Sequence, residues 1–168
     1  MFENFIQALL AEERAASIPE EDDWYAGLIG EWEFEWADHM GQPEERRVKG
    51  EWLFARALEG RAVVDLFICP SRQARKGGLE EEYGLSIRTY SPQTRSWHVC
   101  HASSGEPELL VAIREEGGDI VQTSTGKGYI AVWRFSKLEA DSFRWSNRLS
   151  EDGGLSWELV GEVIARRR

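Results

Sequence analysis

Positive charge is scarce in this chain: Lys and Arg number 20 against 30 Asp and Glu in 168 residues, a formal net charge of −10. A phosphate backbone is held by clustered cations, so this balance argues against a nucleic-acid partner and against an anionic membrane surface. Cysteine is scarcer still. Cys69 and Cys100 are the two present, too few for a disulfide framework and without the close spacing of a metal site. Histidine is confined to His39, His98 and His101, short of three or four convergent ligands, and neither metal nor cofactor is expected. No apolar run reaches the roughly 18 residues of a membrane span. Residues 1–16 lack the basic start and long apolar centre of a secretion signal, because Glu3, Glu12 and Glu13 interrupt them. The expectation is a soluble protein of a reducing cytoplasm, in one domain with a sizeable core.

Glycine and tryptophan are plentiful, at 16 and 8 residues. The stretch Gly30-Glu31-Trp32-Glu33-Phe34-Glu35-Trp36 alternates acid and aromatic without exception. Side chains on a strand point to opposite faces in turn, so this is a half-buried strand. Three acids facing a low-dielectric core would be costly, whereas three aromatics facing water would forgo several kcal/mol of burial (order of magnitude). The aromatics therefore face inward. Gly50-Glu51-Trp52-Leu53-Phe54 repeats the theme.

Before these strands, Phe2, Phe5, Ile6, Leu9 and Leu10 recur at helical spacing, predicting an amphipathic helix over residues 1–16. Its apolar stripe needs cover, from the end of the sheet structure or from a second subunit in a homodimer; end-cap packing is preferred. Residues 17–28, with Pro19 and a cluster of acids, read as a linker. From Ile29 the pattern is strand after strand: 29–37, 46–58, 61–69, 83–90, 95–102, 108–115, 119–125, 129–137, 142–149 and 155–166. Glu59-Gly60, Gly117-Gly118, Gly126-Lys127-Gly128 and Asp152-Gly153-Gly154 suit tight hairpins. No helical pattern intervenes. The fold class is all-β, an antiparallel up-and-down barrel of about ten strands over residues 29–166, closure being the way to remove sheet edges. The long charged connection from Pro70 to Glu82 reads as a lid or as a disordered loop.

Register can be argued at the Glu59-Gly60 turn. Leu58 would pair with Arg61, Arg56 with Val63 and Phe54 with Asp65, placing Asp65 on the tryptophan side, diagonal to Arg56. A carboxylate and a guanidinium in an aromatic interior must be paired. They serve either to fix register or to anchor a small molecule at the base of a pocket. In Tyr83–Tyr90, Ser86, Arg88 and Tyr90 share one face and Leu85 and Ile87 the other. Which face is interior depends on the turn at Pro92; Arg88 with Tyr90 inside would suit a carboxylate. His98 and Cys100 share a strand face while His101 lies on the other with Trp97 and Val99, so a Cys–His nucleophile is not expected. Asn147 alternates among Trp145 and Leu149 as a polar group on an aromatic face.

The helix, the Gly-Glu-Trp opening at 30–32 and the ten-strand run resemble the calycin superfamily of lipocalins, fatty-acid-binding proteins and nitrobindins. The ordered set Gly-Arg-Ala-Val-Val-Asp (60–65), Tyr-Gly-Leu-Ser-Ile-Arg (83–88) and Asp-Gly-Gly-Leu-Ser-Trp (152–157) is similar to uncharacterised bacterial calycin-like proteins. The resemblance implies that Trp32 closes the barrel floor under a late arginine, for which Arg166 is the candidate. The second lipocalin motif is absent, which speaks against secreted transport. Nitrobindin-like haem binding would need a histidine on a late strand, and none follows His101.

Together these readings give a binding module for a small, partly apolar, anionic molecule. Trp32, Phe34, Trp52, Trp133 and Trp145 would line the cavity, with Arg56, Asp65, Arg88, Tyr90 and Asn147 orienting the ligand. Two alternatives stay open: an enzyme using Asp65 beside Arg56, and a dimeric scaffold without ligand.

Overall fold

The structure, a computed structural model, describes residues 2–78, 81–124 and 128–168. Helix α1 (Phe2–Leu9) leads into the short strand β1 (Leu10–Ala11), and two 3-10 turns follow at Glu20–Asp22 and Ala26–Leu28. The remaining strands are β2 (Gly30–Asp38), β3 (Arg46–Ala57), β4 (Ala62–Cys69), β5 (Glu82–Ser91), β6 (Ser96–Ala102), β7 (Glu108–Arg114), β8 (Ile120–Ser124), β9 (Ile130–Ser136), β10 (Ser142–Ser150) and β11 (Glu158–Arg167). They pair in the order β3-β2-β11-β10-β9-β8-β7-β6-β5-β4, and β4 returns to β3, so β2–β11 close an antiparallel up-and-down barrel of ten strands. The expected turn at Gly126-Lys127-Gly128 and the middle of the charged loop, residues 79 and 80, fall outside the described residues in whole or part. Among the described residues no helix is long and apolar enough to cross a membrane.

The sidedness of β2 follows the alternation. Trp32 and Phe34 are buried, and Glu31 and Glu33 are exposed. Burial of each such aromatic is worth roughly 3 kcal/mol. Trp32 faces Trp52 across the β2–β3 ladder, and Phe34 faces Gly50. A Cβ at Gly50 would lie 2.2 Å from Phe34 Cζ and 2.6 Å from the Ile68 carbonyl oxygen. Only glycine lets the Phe34 ring lie flat across β3, where it stacks on Phe67 with centroids 4.7 Å apart. The register at the Glu59-Gly60 turn is as expected, Phe54 opposite Asp65 and Arg56 opposite Val63.

Two N-terminal expectations need correction. The helix ends at Leu9 rather than at residue 16, because the end of β3 runs beyond β2 and its backbone groups need a partner: Leu10 and Ala11 pair with Ala57 and Arg56. The helix does not cap the barrel either, and Phe2, Phe5 and Ile6 stay exposed. Capping falls to residues 17–28. Instead of a solvated linker, this segment buries Ile18, Tyr25 and Leu28 within the barrel core. Its acids are held by arginines: Asp22 by Arg95 at 2.8 and 2.9 Å, and Asp23 by Arg56 at 2.6 and 3.1 Å. Tyr90 also donates to Asp22, and Trp97 Nε1 donates to the Asp22 carbonyl at 2.9 Å. One end of the barrel is thereby plugged.

Candidate functional site

Alternation of antiparallel strands gathers the turns 39–45, 103–107 and 151–157 at the other end, together with the connection that follows Cys69. Here the barrel is open to a cavity of about 840 Å³. Its apolar wall is Trp36, Trp52, Phe67, Trp133 and Trp145, each placed by an inward strand position. The rings interlock: Trp145 meets Trp133 at 5.8 Å, Trp52 at 5.8 Å and Trp36 at 6.2 Å between centroids.

The floor is polar. Asp65 and Arg88 are each 1% exposed and form an ion pair. Trp52 Nε1 donates to the other Asp65 oxygen at 2.7 Å, and Arg88 Nε donates to Gln122 Oε1 at 3.1 Å. Tyr25 O–H donates to that same Gln122 oxygen at 2.9 Å. Burial drives the Tyr25 phenol above its ordinary value, so it stays a protonated donor. The Arg88 guanidinium lies over the rings of Tyr25, Phe54 and Phe135 at 5.0, 5.7 and 5.9 Å. A desolvated pair of this kind needs further hydrogen bonds to be stable, and Trp52 on Asp65 and Gln122 on Arg88 supply two.

On the wall above the floor, His101 bridges two residues of β5. Its Nδ1 lies 3.0 Å from Ser86 Oγ and its Nε2 3.3 Å from Glu82 Oε1. The hydrogen bond from His101 holds the Glu82 carboxyl below its ordinary value against the opposing effect of burial. Glu108 accepts from Tyr129 O–H at 2.7 Å and from Ser124, and the acceptor raises the Tyr129 phenol. Three buried polar atoms have no hydrogen-bond partner among the described residues: Gln122 Nε2, Trp145 Nε1 and Asn147 Oδ1. Trp145 and Asn147 both line the cavity.

Of the residues singled out by sequence, Trp52, Asp65, Arg88, Trp133, Trp145 and Asn147 line this cavity. The other four lie elsewhere. Trp32 closes the plugged end, Phe34 packs between Trp52 and Phe67, Arg56 is bound to Asp23, and Tyr90 donates to Asp22. Asp65 consequently pairs with Arg88 rather than with Arg56. Arg166 is exposed, and the arginine over Trp32 is Arg167, 4.1 Å from the ring. Trp36, Phe67, Glu82, Ser86 and His101 also line the cavity and were not among the expected site residues. A signal for the last three existed: Glu82, Gly84, Ser86 and Arg88 alternate on one face, and a four-residue turn after Ser91 sets Ser86 opposite His101.

A solved structure of an S-type phycobiliprotein lyase, CpeS from Guillardia theta, matches the fold with a TM-score of 0.62 at 10% identity, over 88% of this chain and 92% of that one. No family model and no curated protein matches the sequence. The closed ring of ten antiparallel strands behind an N-terminal helix is thus a barrel fold that this structural neighbour shares.

Proposed function

We propose that the protein binds a small, partly apolar molecule in the open half of its barrel. The observation that carries this reading is the pair of unpartnered polar atoms, Trp145 Nε1 and Asn147 Oδ1, on the aromatic wall of a cavity of about 840 Å³. Ligand pockets are typically apolar walls with a few such groups. A donor and an acceptor side by side suit an amide, a hydroxyl or an amine on the ligand.

An anionic ligand was the sequence expectation, and the arrangement of charge supports another choice. Arg56 is spent on Asp23 at the plugged end, and Arg88 on Asp65 and Gln122. Among the described residues the cavity lining holds Arg46, Lys76 and Arg88 against Asp65, Glu81, Glu82, Glu106 and Glu108, an excess of two acids. The favoured ligand is uncharged or cationic, since aromatic faces and carboxylates both attract cations. Asp65 acts as an anchor rather than as a general base, because Trp52 and Arg88 occupy its two oxygens.

A native mass spectrum of freshly purified protein tests the reading. Noncovalent small-molecule adducts are expected on the wild type and lost in Trp133→Ala. Identical spectra for the two proteins contradict it.

A further inference from the structure

We propose that Ser86, His101 and Glu82 form a nucleophilic ester-cleaving site on the cavity wall, acting on small carboxylic esters that carry no negative charge. The inference goes beyond ligand binding and uses the same cavity, which all three residues line.

The geometry fixes the roles. An ionised carboxylate only accepts hydrogen bonds, so the imidazole nitrogen facing Glu82 at 3.3 Å, Nε2, carries the proton. Nδ1 is then the lone-pair nitrogen, 3.0 Å from Ser86 Oγ, and accepts the serine proton. Carboxylate, imidazole and hydroxyl thus stand in the order that activates a serine: an orienting acid, a base and a nucleophile. Both ring nitrogens are occupied, which leaves Ser86 Oγ as the reacting atom.

The trio depends on one glycine. Ser86 and His101 are opposite each other in the β5–β6 ladder, while Glu82 lies four residues away on β5. The imidazole spans that gap by lying over Gly84. A Cβ there would come within 2.4 Å of His101 Cε1 and 2.8 Å of Nε2. One buried donor without a partner among the described residues, Trp145 Nε1, belongs to a residue of the same cavity lining and is the candidate for the developing oxyanion.

In the reaction Ser86 Oγ bonds to the acyl carbon, its proton passes to His101 Nδ1, and the carbonyl electron pair moves onto oxygen. Collapse of that adduct breaks the bond to the alcohol oxygen, which leaves with the proton from His101. Water repeats the sequence on the acyl-serine, releasing the carboxylic acid and restoring the hydroxyl. Ester and water give acid and alcohol, with no change of oxidation state.

Diisopropyl fluorophosphate, uncharged and small, is the probe; the Oγ–P bond forms as P–F breaks and fluoride departs. On the 168-residue chain, peptide mass spectrometry is expected to find one adduct, on Ser86, absent in Ser86→Ala. The labelling rate should fall about 100-fold in His101→Ala and about 10-fold in Glu82→Gln. Hydrolysis of p-nitrophenyl butyrate should follow the same order. Circular dichroism reports folding of each variant, and His101→Gln replaces His101→Ala if the latter does not fold. Absence of an adduct on wild-type Ser86 overturns the assignment, as does labelling of the histidine variant at the wild-type rate. Saturable binding of an uncharged dye to a wild type that does not label would overturn the catalytic site alone and leave the binding reading standing.

Discussion

Arg167 lies with its guanidinium 4.1 Å from the Trp32 ring centroid, joining the last strand to the first long one. Its nitrogens donate to the carbonyls of Gly27, Ile29 and Ala140 at 2.8, 2.9 and 2.8 Å. Trp32 Nε1 donates to the Leu28 carbonyl at 2.7 Å. One cation on one ring thus ties the capping segment, β2, β11 and the β9–β10 turn together at the plugged end.

Arg167→Ala is expected to destabilise the protein by about 2–3 kcal/mol, through the lost stacking and three carbonyls left to compete for water. Arg167→Lys should recover little, since an ammonium cannot stack and serve three carbonyls at once. Urea denaturation measures both. Equal stability of Lys and Arg at this position would show that charge alone matters.

The Asp65–Arg88 pair should behave as a buried ion pair. Arg88→Met strands the Asp65 carboxylate and should cost about 3–5 kcal/mol, whereas Asp65→Leu combined with Arg88→Met should cost less than the single change. A double variant that is worse than either single one would contradict this.

Acid should loosen the plugged end and the β3 surface. The Arg95 hydrogen bond lowers the Asp22 carboxyl, and hydrogen bonds from Arg72 bring Glu51 from 4.5 to about 2. Both folded-state values lie below the unfolded ones. Their stabilisation is therefore complete above the ordinary carboxylate range and is lost as pH falls from about 5 to about 2. Thermal melts should show Tm dropping across that window, with a shallower drop in Asp22→Asn and Glu51→Gln, both already less stable at neutral pH. Curves parallel to the wild type would remove these two carboxylates from the account.

The barrel could be read from the chain because its alternation is strong: Glu-Trp-Glu-Phe-Glu leaves one choice of inner face, and a two-residue turn at Glu59-Gly60 leaves one register. Side-chain partners were less legible. Asp65 has two strand neighbours, and the β3 side alone had a turn short enough to count across, so Arg56 was the visible candidate and Arg88 was not. Once the Pro92–Arg95 turn is seen to be four residues long, Arg88, Ser86 and His101 all turn inward. The capping segment was hidden by its acids, which resemble a solvated linker until Arg56 and Arg95, far along the chain, are brought beside them.

The cavity itself is tested most directly by titration with N-phenyl-1-naphthylamine, an uncharged aromatic amine, followed by energy transfer from tryptophan. One molecule should bind saturably per chain, about tenfold more weakly in Trp133→Ala, and not measurably in Asn147→Trp, whose indole fills the space. Undiminished binding to a folded Asn147→Trp, or no saturable binding to the wild type, would contradict a ligand site in the open half of the barrel.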